Sequence, residues 1–216
     1  MRIKNSALKI FFLLLAIQAL PASLQSAAQA ANSDVVTIYF VRHGEIERTT
    51  GSASLNERGL ERATDIATTL ERVNLTHVFS SHTLRSRQAV EQAARSHELA
   101  VVELPRLGSM FDGQEIQNLT PAVFAVQPLS EALKDLPIGS TALVGVNSDN
   151  VFAIMHNLGV QLGDSSNPCE LGSNCVPCLR NTCFPAEFDN LWILRLNGQQ
   201  GKTELTWLRY GSQKKG

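Results

Sequence analysis

Three short polar segments hold residue types suited to phosphoryl chemistry. Arg42-His43-Gly44-Glu45 breaks off an apolar run from Val35 to Val41, and Asn147-Ser148-Asp149-Asn150 breaks off a second from Thr141 to Val146. Ser81 and Arg85 follow a third, Thr76 to Ser80. A neutral imidazole nitrogen can attack phosphorus, while guanidinium groups stay charged and grip phosphoryl oxygens through paired N–H bonds. An imidazole beside guanidiniums at strand ends therefore points to His43, Arg42 and Arg85 as one set. The competing reading takes Arg42 and His43 as a surface pair capping a strand.

The elements that must position these residues follow from the apolar spacing. Val35 to Val41 (VVTIYFV) is β-branched and aromatic, as in a strand buried on both faces. From Asn56 the period becomes helical, with Leu60, Ala63, Ile66, Ala67, Leu70 and Val73 three or four apart. Thr76 to Ser80 is a second strand, Arg85 to Arg95 a helix packed through Ala89, Ala93 and Ala94, and Leu99 to Leu104 a third strand stopped by Pro105. Arg106 to Pro128 carries no clear period. Leu129 to Leu136 reads as a short helix ended by Pro137-Ile138-Gly139, Thr141 to Val146 as a fourth strand, and a further helix starts at Val151. Leu191 to Leu196 and Glu204 to Tyr210 alternate like a hairpin around Asn197-Gly198. Strands alternating with helices predict an α/β fold of three layers, a mainly parallel sheet with helices on both faces. Such sheets bind ligands beyond the carboxyl ends of their strands.

Three segments in this order resemble the histidine phosphatase (phosphoglycerate mutase-like) superfamily. Val41-Arg42-His43-Gly44-Glu45 is similar to its R-H-G signature, and Leu55 to Ala63 (LNERGLERA) to its L-x-x-x-G-x-x-x-A helix entry. Phe79 to Gln88 (FSSHTLRSRQ) is similar to its S-S-x-x-x-R-x-x-Q segment. Phe188-Asp189-Asn190-Leu191 and Leu208-Arg209-Tyr210-Gly211 resemble the ends of some exported members. The resemblance implies a phosphomonoester hydrolase without a cofactor, acting on a small phosphorylated substrate. His43 is then the nucleophile that becomes phosphohistidine, Arg42 and Arg85 hold the equatorial oxygens, and Ser81 fixes the turn presenting Arg85.

Two positions depart from that pattern. The family's fourth strand ends in a second histidine, in segments resembling V-G-H-S-N-T-V, and Asn147 stands there in this chain. Asparagine can donate a hydrogen bond to a phosphate oxygen but carries no charge. Exchanging a charge-assisted contact for a neutral one costs on the order of 2–4 kcal/mol in the transition state, roughly 30- to 1000-fold in rate. Ser109 stands where many members have the acid that protonates the leaving group, which leaves Asp112 and Glu115 as candidates. His82 lies near the expected pocket and is a further candidate for substrate contact. His77, at a strand start, and His97 and His156, at helix ends, read as structural. The alternative function is a pseudo-phosphatase that binds a phosphorylated ligand without turning it over.

Outside the site, the first thirty residues read as a secretory signal peptide. Arg2, Lys4 and Lys9 precede an apolar run from Ile10 to Ile17, and Ala28-Gln29-Ala30 offers an A-x-A cleavage site. That run is shorter than the roughly 20 residues a membrane span needs. A periplasmic or secreted domain from residue 31 to 216 is the expectation, with no stable membrane anchor after cleavage. Without the leader, 16 of the 19 basic residues face 20 acidic ones, a net charge near −4 that gives no support to nucleic-acid binding. Cys169, Cys175, Cys178 and Cys183 fall in a loop from about 163 to 185. An exported chain with an even cysteine count predicts disulfides, whose pairing spacing alone leaves open among three arrangements. A metal site on Cys175-Val-Pro-Cys178 would need a second C-x-x-C knuckle, and there is none.

Overall fold

Chain order runs β1 (Val35–Arg42), α1 (Glu57–Thr69), β2 (His77–Ser81), α2 (Leu84–Ser96) and β3 (Val101–Leu104). Two short strands follow, β4 (Met110–Phe111) and β5 (Gln114–Glu115), then α3 (Pro121–Lys134), β6 (Thr141–Val146) and α4 (Val151–Asn157). The last elements are β7 (Gln161–Gly163), β8 (Cys175–Pro177), β9 (Asn190–Asn197) and β10 (Lys202–Arg209). The computed structural model describes residues 34–47, 53–104, 110–111, 114–115, 121–148, 150–163, 174–177, 185, 187–198 and 202–211. Among them no helix is long and apolar enough to cross a membrane.

Six strands form the central sheet in the order β10-β9-β1-β6-β2-β3. The pairs β1–β6, β6–β2 and β2–β3 are parallel, and the hairpin β9–β10 adds an antiparallel edge against β1. The expected α/β architecture is therefore the one observed. The strand pleat explains the layers, because successive side chains point to opposite faces. Ile38 and Phe40 pack with Leu129 and Leu133 of α3 and with Ile154 and Met155 of α4. Tyr39 and Val41 pack with Ile66 of α1, with Leu70 at its C-cap, and with Val90 and Ala93 of α2.

Two details set the height of the helices over the site. Asn56 caps α1, its Oδ1 accepting from the Gly59 N–H at 3.0 Å. Gly145 on β6 lies directly under α2, where a Cβ would collide with the Ser86 carbonyl and lie 2.8 Å from Val90 Cγ1. No other residue lets α2 approach the sheet so closely.

The sequence reading needs correction at α3, which begins at Pro121 rather than Leu129 and runs through Pro128. Proline removes one intrahelical N–H bond. Val126, Leu129 and Leu133 are buried around it, and that burial outweighs the lost bond. The cysteine loop is also less irregular than expected. Its strand β8 pairs in parallel with β7, and Val176 enters the core. Cys175 is disulfide-bonded, while Cys169, Cys178 and Cys183 lie outside the described residues.

Candidate active site

The C-terminal ends of β1, β2 and β6 converge because those strands are parallel neighbours. His43 follows β1 immediately, and its N–H donates to the Val146 carbonyl at 3.0 Å, which extends the β1–β6 ladder by one residue. The ring is buried. Its Nδ1 lies 2.8 Å from the Gly44 carbonyl, an atom that can only accept, so Nδ1 carries the proton. Nε2 takes a hydrogen bond from Arg85 Nε at 3.2 Å. Both contacts describe a neutral imidazole with its lone pair on Nε2, the form that can attack phosphorus.

Arg85, one residue into α2, reaches back over the sheet end. Its Nε also donates to Asn147 Oδ1 at 3.0 Å, and Asn147 is buried at the end of β6. Thr83 Oγ1 and Ser86 Oγ lie 3.1 and 3.3 Å from the same oxygen. Asn147 Nδ2 donates to Ser81 Oγ at 3.3 Å. The structure thus brings His43, Arg85, Asn147 and Ser81 into one hydrogen-bonded cluster.

Arg42 is fixed by the C-terminal segment. Its Nη1 donates to the Pro185 carbonyl at 2.9 Å, and its guanidinium lies 4.0 Å from the Phe188 ring centroid. Burial lowers its pKa against the pull of Glu45 and Glu187, yet a guanidinium remains charged at any physiological pH. Its buried Nε has no hydrogen-bond partner among the described residues. Phe188 also stands 6.2 Å from the His43 ring, and its carbonyl accepts from Tyr210 Oη at 3.0 Å. Burial pushes the Tyr210 phenol well above its ordinary value, so it remains a donor.

The loop after His43 is fastened to α1. Glu45 takes two hydrogen bonds from Arg62, at 2.8 and 2.9 Å, and a third contact from Arg58 at 3.1 Å. Burial opposes ionisation of Glu45, but the arginines outweigh it and hold its pKa below the usual range. Gly44 and Gly59 cross so closely that a Cβ on Gly44 would sit 2.7 Å from Gly59 Cα. Gln88 of α2 accepts from the Leu55 N–H at 2.8 Å and ties the same loop down from the other side.

Sequence reasoning missed Arg62, Thr83, Pro185, Phe188 and Tyr210. The only available signal was the likeness of the Phe188 and Tyr210 segments to exported proteins, which named no role for either. His82 is half-buried in the turn before α2. Of the candidate acids, Asp112 lies outside the described residues, and Glu115 is described only as backbone of β5. Among the described residues no group of three or more His, Cys, Asp or Glu side chains is placed to hold a metal ion.

Residues 38–127 match the family model of the histidine phosphatase superfamily (branch 1). That span holds His43, α1, Ser81 and Arg85, but neither Asn147 nor Phe188. No curated protein sequence matches the chain significantly. Among solved structures, the chain is similar to the protein histidine phosphatase SixA complexed with tungstate, at 17% identity and TM-score 0.52 over 81% of this chain and 96% of that one. It is also similar to a protein solved as mycobacterial hydrolase 2, at 12% identity and TM-score 0.53 over 83% and 94% of the two chains. SixA from Nakamurella multipartitia gives 16% identity and TM-score 0.51, over 82% and 98%. At such identities the likeness is one of fold.

Proposed function

We propose that this chain is an exported phosphomonoester hydrolase of the histidine phosphatase superfamily that passes the phosphoryl group through Nε2 of His43. One observation carries the reading: a buried neutral imidazole whose Nε2 lone pair lies 3.2 Å from a guanidinium nitrogen. In the first step Nε2 bonds to phosphorus and the ester P–O bond breaks. The leaving oxygen takes up a proton, from Asp112, Glu115 or solvent. In the second step water attacks phosphorus, the Nε2–P bond breaks, and phosphate leaves with His43 neutral again. Arg42 and Arg85 offset charge on the equatorial oxygens throughout, which is how positioning and electrostatics accelerate phosphoryl transfer. His82 lies close enough in sequence to Arg85 to contact the rest of the substrate.

A second reading has its own support. The lone pair of Nε2 already accepts from Arg85, and Asn147 adds no charge, so a pocket that binds a phosphorylated ligand without turnover is also coherent. One assay separates the two. The mature protein is tested on generic phosphomonoesters and titrated with inorganic phosphate, beside His43→Ala. Turnover that vanishes in the variant supports the hydrolase, and phosphate binding without turnover supports the binder. Absence of both in the wild type would remove either reading. Periplasmic or secreted location, leader cleavage after Ala30 and disulfide pairing of all four cysteines complete the proposal, supported by the leader pattern and the bonded Cys175.

A further inference from the structure

We infer that Asn147 is a positioning residue for Arg85 rather than a ligand of the phosphoryl group. This rests on the hydrolase reading and deepens it. The amide has one available orientation, because Arg85 Nε–H, which can only donate, meets its oxygen at 3.0 Å, while the nearby hydroxyls of Thr83 and Ser86, themselves 2.9 Å apart, could donate or accept. Turning the amide over would set two N–H groups, Arg85 Nε–H and the amide's own, against each other. Its nitrogen, the only atom able to donate to a phosphate, gives one of its two N–H groups to Ser81 Oγ at 3.3 Å, and the residue is buried.

The need for an acceptor at this place follows from the chemistry of His43. In the resting site the Arg85 Nε–H is shared between His43 Nε2 and Asn147 Oδ1. Once Nε2 bonds to phosphorus its lone pair is consumed, and it can no longer accept. Asn147 Oδ1 then holds the Nε–H alone and keeps the guanidinium in place while the phosphoryl group is on the imidazole. No hydrogen bond among the described residues occupies the Nη groups of Arg85, so both remain for phosphoryl oxygens. An imidazole at 147 has one ring nitrogen with a single lone pair, where the amide oxygen has two and can accept from Arg85 Nε–H and a neighbouring hydroxyl together.

A double-mutant cycle tests this, using protein purified after export of the full chain. Wild type, Asn147→Ala, Arg85→Ala and the double variant are compared by kcat and KM on a phosphomonoester and by affinity for inorganic phosphate. Thermal unfolding accompanies each protein to identify any that fail to fold. Asn147→Ala is expected to lower kcat by roughly 10- to 100-fold in the wild-type background and by less than about 2-fold once Arg85 is gone. Equal losses in both backgrounds would show that Asn147 touches the substrate itself and would overturn the assignment. Asn147→His is the second variant, with kcat expected at or below wild type; a rise above wild type would equally overturn it. Should the wild type turn over no ester, the hydrolase reading falls by itself. Phosphate affinities of the same four proteins then decide the role of Asn147 by the same comparison.

Discussion

In the proposed mechanism Arg85 has two jobs, and they use different atoms. Its Nε is turned inward to His43 and Asn147, leaving the Nη groups for the substrate. Lysine supplies a charge but no fixed fork, so Arg85→Lys removes the division of labour while keeping the cation. We expect kcat/KM to fall roughly 30- to 1000-fold in that variant, on the order of 2–4 kcal/mol of transition-state stabilisation, with thermal stability nearly unchanged. Steady-state kinetics beside a melting curve checks this, and a small kinetic effect would contradict it. At this scale the sequence was readable where residue type limits chemistry: it set His43 beside Arg85, and the two do meet, whereas the contacts of Arg42 with Pro185 and Phe188 were not foreseen. It was mute on where an amide points, because Asn147 can donate or accept and only the neighbouring Arg85 Nε–H, which can only donate, decides.

Elements position those residues through close approaches and a strap. Gly145→Ala would press α2 away from β6 through the Ser86 carbonyl, and Arg85 sits one residue earlier on the same helix. We expect the variant to lose on the order of 1–3 kcal/mol in urea unfolding and to lose activity as well, since the helix cannot move without Arg85. On the opposite side, Phe188 and the Pro185 carbonyl clasp Arg42, and Tyr210 pins Phe188. The Tyr210 phenol is buried and its pKa is raised above 10.0, so folding favours its protonated form. Its contribution is full below pH 10 and is lost as pH climbs toward the folded value, because the unfolded chain ionises first. Wild type should therefore lose more stability than Tyr210→Phe between neutral and strongly alkaline pH, measured by urea unfolding. Parallel loss in both proteins would contradict this. Strands β1, β2, β3 and β6 were legible as apolar runs because each is covered on both faces or closely flanked. The start of α3 was not, since Pro128 mimics a break when its buried neighbours cannot be seen. The strap was illegible for a related reason: Phe188 lies far from Arg42 in the chain and meets it only because β9 pairs with β1.

At the scale of the whole molecule, a parallel sheet brings three distant segments to one rim, and the cysteine loop is anchored to the same core through Val176. Thiol titration of the unreduced protein should find no free cysteine, and all four after unfolding in reductant. A free thiol before reduction would leave Cys175 bonded and another cysteine unpaired. The account as a whole turns on whether the phosphoryl group resides on His43. Purified protein mixed with a phosphomonoester, quenched into base and digested, can be mapped by mass spectrometry for phosphate. The result predicted is phosphate on the peptide holding His43, formed at the rate of turnover or faster and absent from His43→Ala. Turnover that proceeds with His43 unphosphorylated, or that survives in His43→Ala, would contradict it.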